Sequence, residues 1–549
     1  MDMLTTLPPG LLLLIGALIA PLLPHVPRQI WMLGVIALSG FGLWQTAPDA
    51  AWSPALQIAG LDLLAARAHA IAHPFALVFH IAAALNVIYA MHENSRLTSS
   101  AGLAYAGAAV AALHAADFAT LFIYWEITAI ASTAVILSRS EAADKMGIAM
   151  RYLLFHVASG MALLTAIALL WRSGASLNVG AMSADTPAAW LLLFAFGIKA
   201  AFPLLNNWLQ EAYPAAGATG TVILSAFTTK LAIAMLAICF AGMPALLWAG
   251  AIMAVVAALF ALLENDLKRM LAWGLNGQLG MMVIGIGIGT QLAINGAVAH
   301  AFASTLYQAL LFMAVGAVET RTGTTRADRL GGLARAMPAT ALAAFIGSAA
   351  IAAFPFFGGY ATKGMTILAA AGESPWVWMP LAIASASAVI YGFARLTYGV
   401  FGGADCGLAA RDAPLNMQCA MGVAALLCIG IGLAPFAFYE ILPYPVAGDP
   451  WLPRLLLGSA RFVVIAAAAW WLVQRFGLWP SPRTGRLPLR PAFLRLIHAA
   501  DAGARRGREA AAAVFTETAQ TLARRLVACL LYTSPSPRDA TLSRMPSSA

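Results

Sequence analysis

Glu126 sits near the middle of twenty otherwise uncharged residues, Phe118 to Leu137. Lys199 and Lys230 each occupy the interior of a later apolar stretch of similar length. A charge at bilayer mid-depth costs roughly 2.5–3.5 kcal/mol on insertion scales. Leucine at all three places would avoid that cost. Burial favours a neutral amine, and a nearby carboxylate favours the ammonium. A lysine whose carboxylate partner moves therefore takes up and releases a proton, the chemistry of a proton or ion path. The competing reading of Glu126 is a structural ion pair with a lysine of another helix. The competing reading of the lysines is snorkelling, but both lie far from the ends of their stretches.

His300 lies inside a further apolar stretch, with Ser304, Thr305 and Gln308 one or two turns on. Neutral imidazole relays protons. The alternative is a histidine hydrogen-bonded to a neighbouring helix. His80, His114 and His156 also fall in or near apolar stretches and read as structural. Asp266-Leu267-Lys268-Arg269 reads as a charged turn in a short cytoplasmic loop, whose basic residues set orientation. Cys239, Cys406, Cys419, Cys428 and Cys529 show no CxxC or Cys/His ligand spacing and read as small apolar core residues. No metal site, dinucleotide fingerprint, P-loop or haem-attachment motif is present, and no cofactor is expected. Gly285, Gly287 and Gly289 read as packing glycines of an apolar helix.

The elements that must position these groups are membrane helices. The chain has 549 residues, 61% hydrophobic and 10% charged, and its mean hydropathy is +0.81. A soluble domain carries about 25% charged residues. Apolar runs recur to about residue 476, each long enough for a hydrocarbon core of ~30 Å. They lack the period-2 alternation of an outer-membrane barrel. About fifteen spans centre near residues 17, 37, 82, 108, 127, 161, 197, 230, 254, 280, 306, 350, 388, 429 and 467. The first lacks a basic flank and a small-residue cleavage site, unlike a signal peptide. The +9 charge is carried by loops and the C-terminal tail, so it signals no nucleic-acid partner.

Loops after odd-numbered spans hold Arg28, Arg96, Arg139, Lys145, Arg151, Lys268, Arg269, Arg321, Arg326, Arg329, Arg335 and Arg411. The positive-inside rule puts them and the C-terminus in the cytoplasm and the N-terminus in the periplasm of a bacterial inner membrane. Span 7 meets Pro203 and Asn206-Asn207. Span 12 runs from Thr340 through Phe354-Pro355-Phe356-Phe357-Gly358-Gly359 to Ala371. Such interruptions in two halves point to an inverted-repeat transporter core, ordinary proline kinks being the alternative. Residues 477–531 read as a basic, amphipathic cytoplasmic tail. Residues 532–549 read as disordered and resemble translated sequencing-adapter read-through.

Several segments together carry a resemblance. They are Tyr124-Trp125-Glu126; Lys199-Ala200-Ala201-Phe202-Pro203 with Asn207-Trp208-Leu209; Ser225 to Lys230; Asn265 to Ala272 with Gln278-Leu279-Gly280; and Ala350-Ile351 through Phe354-Pro355 and Gly359 to Lys363. Over roughly residues 70–400 they resemble the antiporter-like subunits shared by respiratory complex I, membrane-bound hydrogenases and Mrp-type Na+/H+ antiporters. The D-type subunit of Mrp antiporters and its hydrogenase-associated relatives look most similar. The interval of 31 residues from Lys199 to Lys230 fits that pattern. The chain departs from it at Ser304 and Gln308, where the family commonly has histidine and lysine. It also departs at Gln210 and Glu211, where proline and aspartate are usual.

The resemblance implies an all-α polytopic membrane protein of about fifteen transmembrane helices. Helices 7 and 12 are broken. Two inverted five-helix repeats cover roughly residues 101–241 and 245–400, between helices 1–3 (residues 1–100) and the C-terminal spans (401–476). It implies a proton-translocating subunit of a larger complex, with a pathway through Glu126, Lys199, Lys230, His300 and Lys363, and with Ser304 and Gln308 in secondary roles. The expected reading is a monovalent cation/H+ antiporter subunit. A proton-pumping subunit of an NADH-quinone oxidoreductase or hydrogenase is the alternative. Catalytic chemistry, if any, belongs to partner subunits. Expected partners are other membrane subunits, the lipid bilayer, H+ and either Na+ or K+. Two readings of other classes stay open: a stand-alone secondary transporter of a small solute, and a structural subunit with a decayed path.

Overall fold

The structure, a computed structural model, describes residues 7–475 apart from 48–49, 53–55, 59–60, 64, 140–143, 374, 409, 447–450 and 452. The expected amphipathic and disordered tails, 477–531 and 532–549, lie outside these residues, as does Cys529. Residues Met1–Leu472 form one compact unit.

Helices run in chain order as α1 (Leu11–Ile19), α2 (His25–Trp44), α3 (Ala72–Tyr89), α4 (Arg96–Leu113), α5 (Phe118–Arg139), α6 (Lys145–Arg172), α7 (Pro187–Lys199), α8 (Asn207–Ala215), α9 (Gly217–Ala226) and α10 (Thr228–Cys239). They continue as α11 (Pro244–Leu263), α12 (Leu267–Ile288), α13 (Gln291–Thr322), α14 (Pro338–Ile351), α15 (Gly358–Ala370) and α16 (Pro375–Val389). A π-helical segment (Ile390–Gly402) follows, then α17 (Leu415–Leu433), α18 (Pro435–Tyr439) and α19 (Pro453–Arg475). Every predicted span centre lies on one of these helices. Among the described residues, ten helical stretches are long and apolar enough to cross a membrane. The molecule is an all-α polytopic membrane protein. Between α2 and α3 the chain forms two small antiparallel pairs, with Ala51 opposite Arg67 and Leu56 opposite Leu63.

The 32-residue α13 is the axis of the fold, buried along its membrane-length window and packed by α3, α9, α12, α14, α15 and α17. Lipid-type faces are carried by other helices. On α11, Trp248, Ile252, Val255, Val256 and Leu259 are exposed at helical spacing. Its opposite face meets α12 backbone to backbone. A Cβ on Gly280 would stand 2.6 Å from the Ala254 nitrogen, and one on Gly250 would stand 2.7 Å from the Gly280 oxygen. Small residues let membrane helices approach in this way. Gly285 and Gly287 pack likewise, against Ala293 and Leu247. Gly289 lies just past the helix, where its φ of 75° forms the left-handed cap.

The two proline-marked interruptions have one backbone design. In the first, Ala201 N donates to Ile198 O, Phe202 N to Gly197 O and Leu205 N to Phe202 O. In the second, Ala353 N donates to Ala350 O, Phe354 N to Ala349 O and Phe357 N to Phe354 O. Each has Ala-Phe-Pro and two left-handed residues, Ala201 (φ 60°) and Leu204 (69°) against Ala353 (56°) and Phe356 (71°). The i−5 bond and left-handed residue make a Schellman-type stop with alanine where glycine is usual. Proline prevents the helix from resuming at once.

Sequence reading missed a third break. The stretch around Lys230 divides at Phe227 into α9 and α10, without proline. The Thr228 N–H donates to the Tyr105 hydroxyl (2.9 Å) rather than to the preceding turn. A side chain inserted in the ladder breaks the helix. The π-helical segment was also missed. Its Arg395 donates to the carbonyls of Leu262 (2.9 Å) and Glu264, closing the C-terminal end of α11.

Several charge assignments change. Lys268 is no loop residue. Asp266 caps α12 by accepting from Arg269 N (2.9 Å), which puts Lys268 in the first turn, buried and paired with Glu319 at 2.5 Å. Arg28 is buried in the first turn of α2 and donates to Asn94 Oδ1 (2.7 Å). Cys239 and Cys428 are core residues, but Cys406 and Cys419 are exposed: Cys406 follows the π-helical segment, and Cys419 lies on the outer face of α17.

Candidate functional site

Glu126 projects from α5 toward α6. A Cβ on Gly160 would stand 1.9 Å from its Oε1, so glycine there makes the room it occupies. That Oε1 is buried without a hydrogen-bond partner. Lys199, the last residue of α7, is fully buried. Its Nζ donates to Trp125 O (2.7 Å) and Thr128 Oγ1 (2.9 Å) and stands 4.1 Å from the Trp125 ring centroid. Trp125 Nε1 donates to Ser159 Oγ (2.9 Å), and Ser159 donates to Ala195 O (2.7 Å). These bonds tie α5, α6 and α7 into one frame. Lys199 is thus held by the neighbours of Glu126, and the two form no ion pair within 4 Å.

Hydroxyl groups stand near both Lys199 and Lys230. Ser132 donates to Thr128 O (2.6 Å), and Tyr152 donates to Ser132 Oγ (2.9 Å). Tyr105 shares a 2.5 Å hydrogen bond with Thr228 Oγ1, two residues before Lys230. The Lys230 ammonium is buried and donates to Ser225 O (2.8 Å), at the carbonyl end of α9 where the helix breaks. Cations are favoured at that end of a helix.

His156, read as structural, packs beside the site. Its ring stacks on Tyr152 (centroids 4.0 Å apart) and meets Trp208 edge-on at 4.8 Å. Nδ1 donates to Tyr152 O (2.9 Å), and Nε2 is buried with no partner. His80, in contrast, bonds both Ala76 O (2.8 Å) and Ser39 Oγ (2.9 Å). His114 is anchored to Val110 O at 2.9 Å.

The second group gathers around α13. His300 Nε2 is 2.9 Å from Tyr307 Oη and 3.2 Å from Gln278 Oε1. Lys363, on α15, donates to Ile351 O (2.5 Å), the last carbonyl of α14, and stands 5.9 Å from the Tyr307 ring centroid. Lys230 and Lys363 therefore share a device, an ammonium on the carbonyl end of an interrupted helix. Ser304 Oγ and both amide atoms of Gln308 are buried and without protein partners. So the structure brings Glu126 near Lys199, and Lys363 near His300 through Tyr307. It leaves Ser304 and Gln308 outside the hydrogen-bonded line. Tyr105, Tyr152, His156, Gln278 and Tyr307 were missed as a set. A tyrosine or histidine in an apolar stretch is visible in sequence, but no spacing relates residues of different helices.

Among the described residues, no cluster of three or more His, Cys, Asp or Glu could hold a metal ion. A cavity of about 30 Å³ lies between α2, α3, α4 and α9, lined in part by Gln29, Asn86, Thr98 and Thr219. A groove of about 310 Å³ beside the π-helical segment is lined mainly by apolar groups, among them Val389, Phe393 and Trp470.

Comparison with known proteins gives the family and the fold. The transmembrane family described as NADH:quinone oxidoreductase/Mrp antiporter matches residues 115–390. Hydrogenase-4 component B of Escherichia coli (strain K12) is 31% identical over 375 residues, 60% of this chain and 55% of that protein. NAD(P)H-quinone oxidoreductase chain 4 1 of Synechococcus sp. (strain JA-2-3B'a(2-13)) is 27% identical over 514 residues, 84% of this chain and 92% of that one. The chain spans about half the length of several curated relatives it matches. A chain in the structure of the Mrp complex from Dietzia sp. DQ12-45-1b has the same fold. Its TM-score is 0.71 at 19% identity, over 80% of this chain and 96% of that chain.

Proposed function

The chain belongs to the NADH:quinone oxidoreductase/Mrp antiporter transmembrane family, and on that premise we propose that it is a proton-translocating subunit of a multisubunit membrane complex. One observation carries the reading. Lys199, Lys230 and Lys363 are buried in an apolar bundle and each ammonium rests on a main-chain carbonyl. Among the described residues, none of the three has a carboxylate within 4 Å. A buried amine without a counter-ion is costly and adds no stability that leucine would not add. Such amines are suited to gaining and losing a proton.

The mechanism is electrostatic gating. Glu126 has an unpaired carboxylate oxygen, and Lys199 is held by two residues of the same helix turn, Trp125 and Thr128. As the carboxylate approaches, Lys199 keeps its proton. As it withdraws, the proton leaves toward Thr228 and Lys230, with water completing the path between the Thr128, Ser132 and Tyr152 hydroxyls. His300 and Lys363 take it onward. In surroundings poor in water, charge interactions are several-fold stronger than in solution, so a shift of a few ångströms is enough.

The finer reading is a D-type component of a monovalent cation/H+ antiporter, with other membrane subunits as partners. It sits in a bacterial inner membrane with the N-terminus periplasmic, and its two halves, 101–241 and 245–400, form inverted repeats. The matching interruptions in α7–α8 and α14–α15 favour the repeats. The relatives named for hydrogenase and quinone oxidoreductase keep a redox-driven parent complex as the second reading. A small-solute carrier is disfavoured, because the buried ionisable groups Lys199, Lys230 and Lys363 are strung along different helices, each on its own carbonyl, rather than gathered around one site. The test is cation/proton exchange in vesicles that contain the assembled complex. Glu126→Gln keeps the side-chain shape and removes the charge, so exchange is abolished while subunit stoichiometry is unchanged. Near-normal exchange in that variant sinks the gating mechanism.

A further inference from the structure

We infer that the Tyr307 hydroxyl is the proton relay between His300 and Lys363. The inference deepens the proposed function and rests on it. His300 and Tyr307 are two turns apart on one face of α13. The imidazole Nε2 lies 2.9 Å from the phenol oxygen, and the phenol donates to Gln278 Oε1 at 3.3 Å. Gln278 Oε1 is an acceptor only. It therefore orients the phenol hydrogen away from the imidazole and leaves a phenol lone pair for the Nε2–H. The other ring nitrogen, Nδ1, is buried without a partner. On the far side, Lys363 Nζ lies over the Tyr307 ring, 5.9 Å from its centroid. The Tyr307 hydroxyl thus bonds His300 directly, and its ring lies beneath Lys363, a gap that one water or a swing of the lysine must close.

The side chains that sequence spacing would choose for this task make no hydrogen bond to His300. Ser304 Oγ and Gln308 Nε2 and Oε1 have no protein partner, although all are buried. The hydrogen-bonded line from His300 runs through Tyr307.

The transfer balances in protons and charge. The Nε2–H bond of the His300 imidazolium breaks, and a new O–H bond forms on Tyr307. In the same step the original phenol proton, turned off Gln278, leaves for a neutral Lys363 amine, either through one water or once the lysine swings off the Ile351 carbonyl. One positive charge moves from imidazole to ammonium, and the phenol is neutral before and after. It then resets by rotation about its C–O bond and returns its hydrogen to Gln278. A buried phenol serves well here because it never has to hold a charge.

The experiment measures exchange in vesicles containing the assembled complex. Tyr307→Phe keeps the ring face under Lys363 and removes only the oxygen. Its expected result is a fall of tenfold or more with unchanged subunit stoichiometry, and no further loss when His300→Ala is added. Tyr307→His, which restores a proton carrier in a different shape, recovers part of the exchange. A role in packing alone would not allow that rescue. The double variant Ser304→Ala/Gln308→Ala keeps most of the exchange. Near-normal exchange in Tyr307→Phe while His300→Ala is inactive overturns the inference in favour of a water path along Ser304 and Gln308. Normal exchange in both while Glu126→Gln is inactive overturns it in favour of a path that avoids α13. If Glu126→Gln is also active, the proposed function itself falls.

Discussion

Gly160 shows how finely the first charged group is placed. Its missing Cβ is the space in which Glu126 Oε1 lies. Gly160→Ala displaces the flexible end of a side chain, which the fold tolerates, but moves the carboxylate from its present position relative to Lys199. The expected outcome is normal assembly with exchange reduced about tenfold or more, measured in vesicles against Glu126→Gln. Normal exchange in Gly160→Ala would mean that the carboxylate's position does not gate Lys199. Lys268 is a different case. As a loop residue it would be dispensable, but in the structure it is 2% exposed and paired with Glu319, which is 29% exposed. Removing one partner of a fully buried pair costs about 3–5 kcal/mol, and the partial exposure of Glu319 reduces this to about 1–3 kcal/mol. Lys268→Ala is expected to lower the melting temperature of the purified complex while exchange per assembled complex is retained. Unchanged melting would show that the ion pair contributes nothing to stability.

At the scale of elements, the three buried lysines sit where helices stop. Lys199 ends α7, Lys230 closes the carbonyl end of α9, and Lys363 closes that of α14. Each interruption frees carbonyls that an unbroken helix would use internally, and an ammonium can sit on them inside the membrane. Gly359 is needed to form the second interruption, since a Cβ there would lie 1.8 Å from the Ala350 carbonyl oxygen. That neighbour is backbone and cannot swing aside. Gly359→Ala should therefore disrupt the α14–α15 junction and misplace Lys363. The expected result is loss of most exchange together with a reduced yield of assembled complex. Full yield with full activity would show that the junction adapts and that its geometry is not required.

At the scale of the molecule, the proposed function gives the bundle only part of what transport needs. α13 is buried along its membrane-length window and positions His300 and Tyr307 between α12 and α15, whereas several peripheral helices present broad apolar faces. The chain contributes a path for protons, and the driving reaction or the second ion belongs to partners under the proposed function. The purified chain in vesicles is therefore expected to show no cation/proton exchange above protein-free background, and the assembled complex is expected to restore it. Robust exchange by the isolated chain would favour a stand-alone transporter.

The sequence by itself determined the membrane class, the place of every described membrane-length helix near a predicted span centre, and the two proline-marked interruptions. These follow from local rules: apolar length against bilayer thickness, and the backbone donor that proline lacks. It also marked Glu126, Lys199, Lys230, His300 and Lys363, because a charge-capable group is conspicuous in an apolar run. Only the tertiary structure decided what those groups touch. The break at Phe227 depends on a tyrosine from α4. Lys268 became a buried residue because Asp266 caps α12 and Glu319 comes from another helix. His156 joined the Lys199 neighbourhood through stacking on Tyr152 and Trp208. Tyr307, rather than Ser304 or Gln308, reached His300. A four-residue interval places side chains on one helical face, but which face meets which neighbour is set by how the helices pack against one another, and no interval in the sequence encodes that.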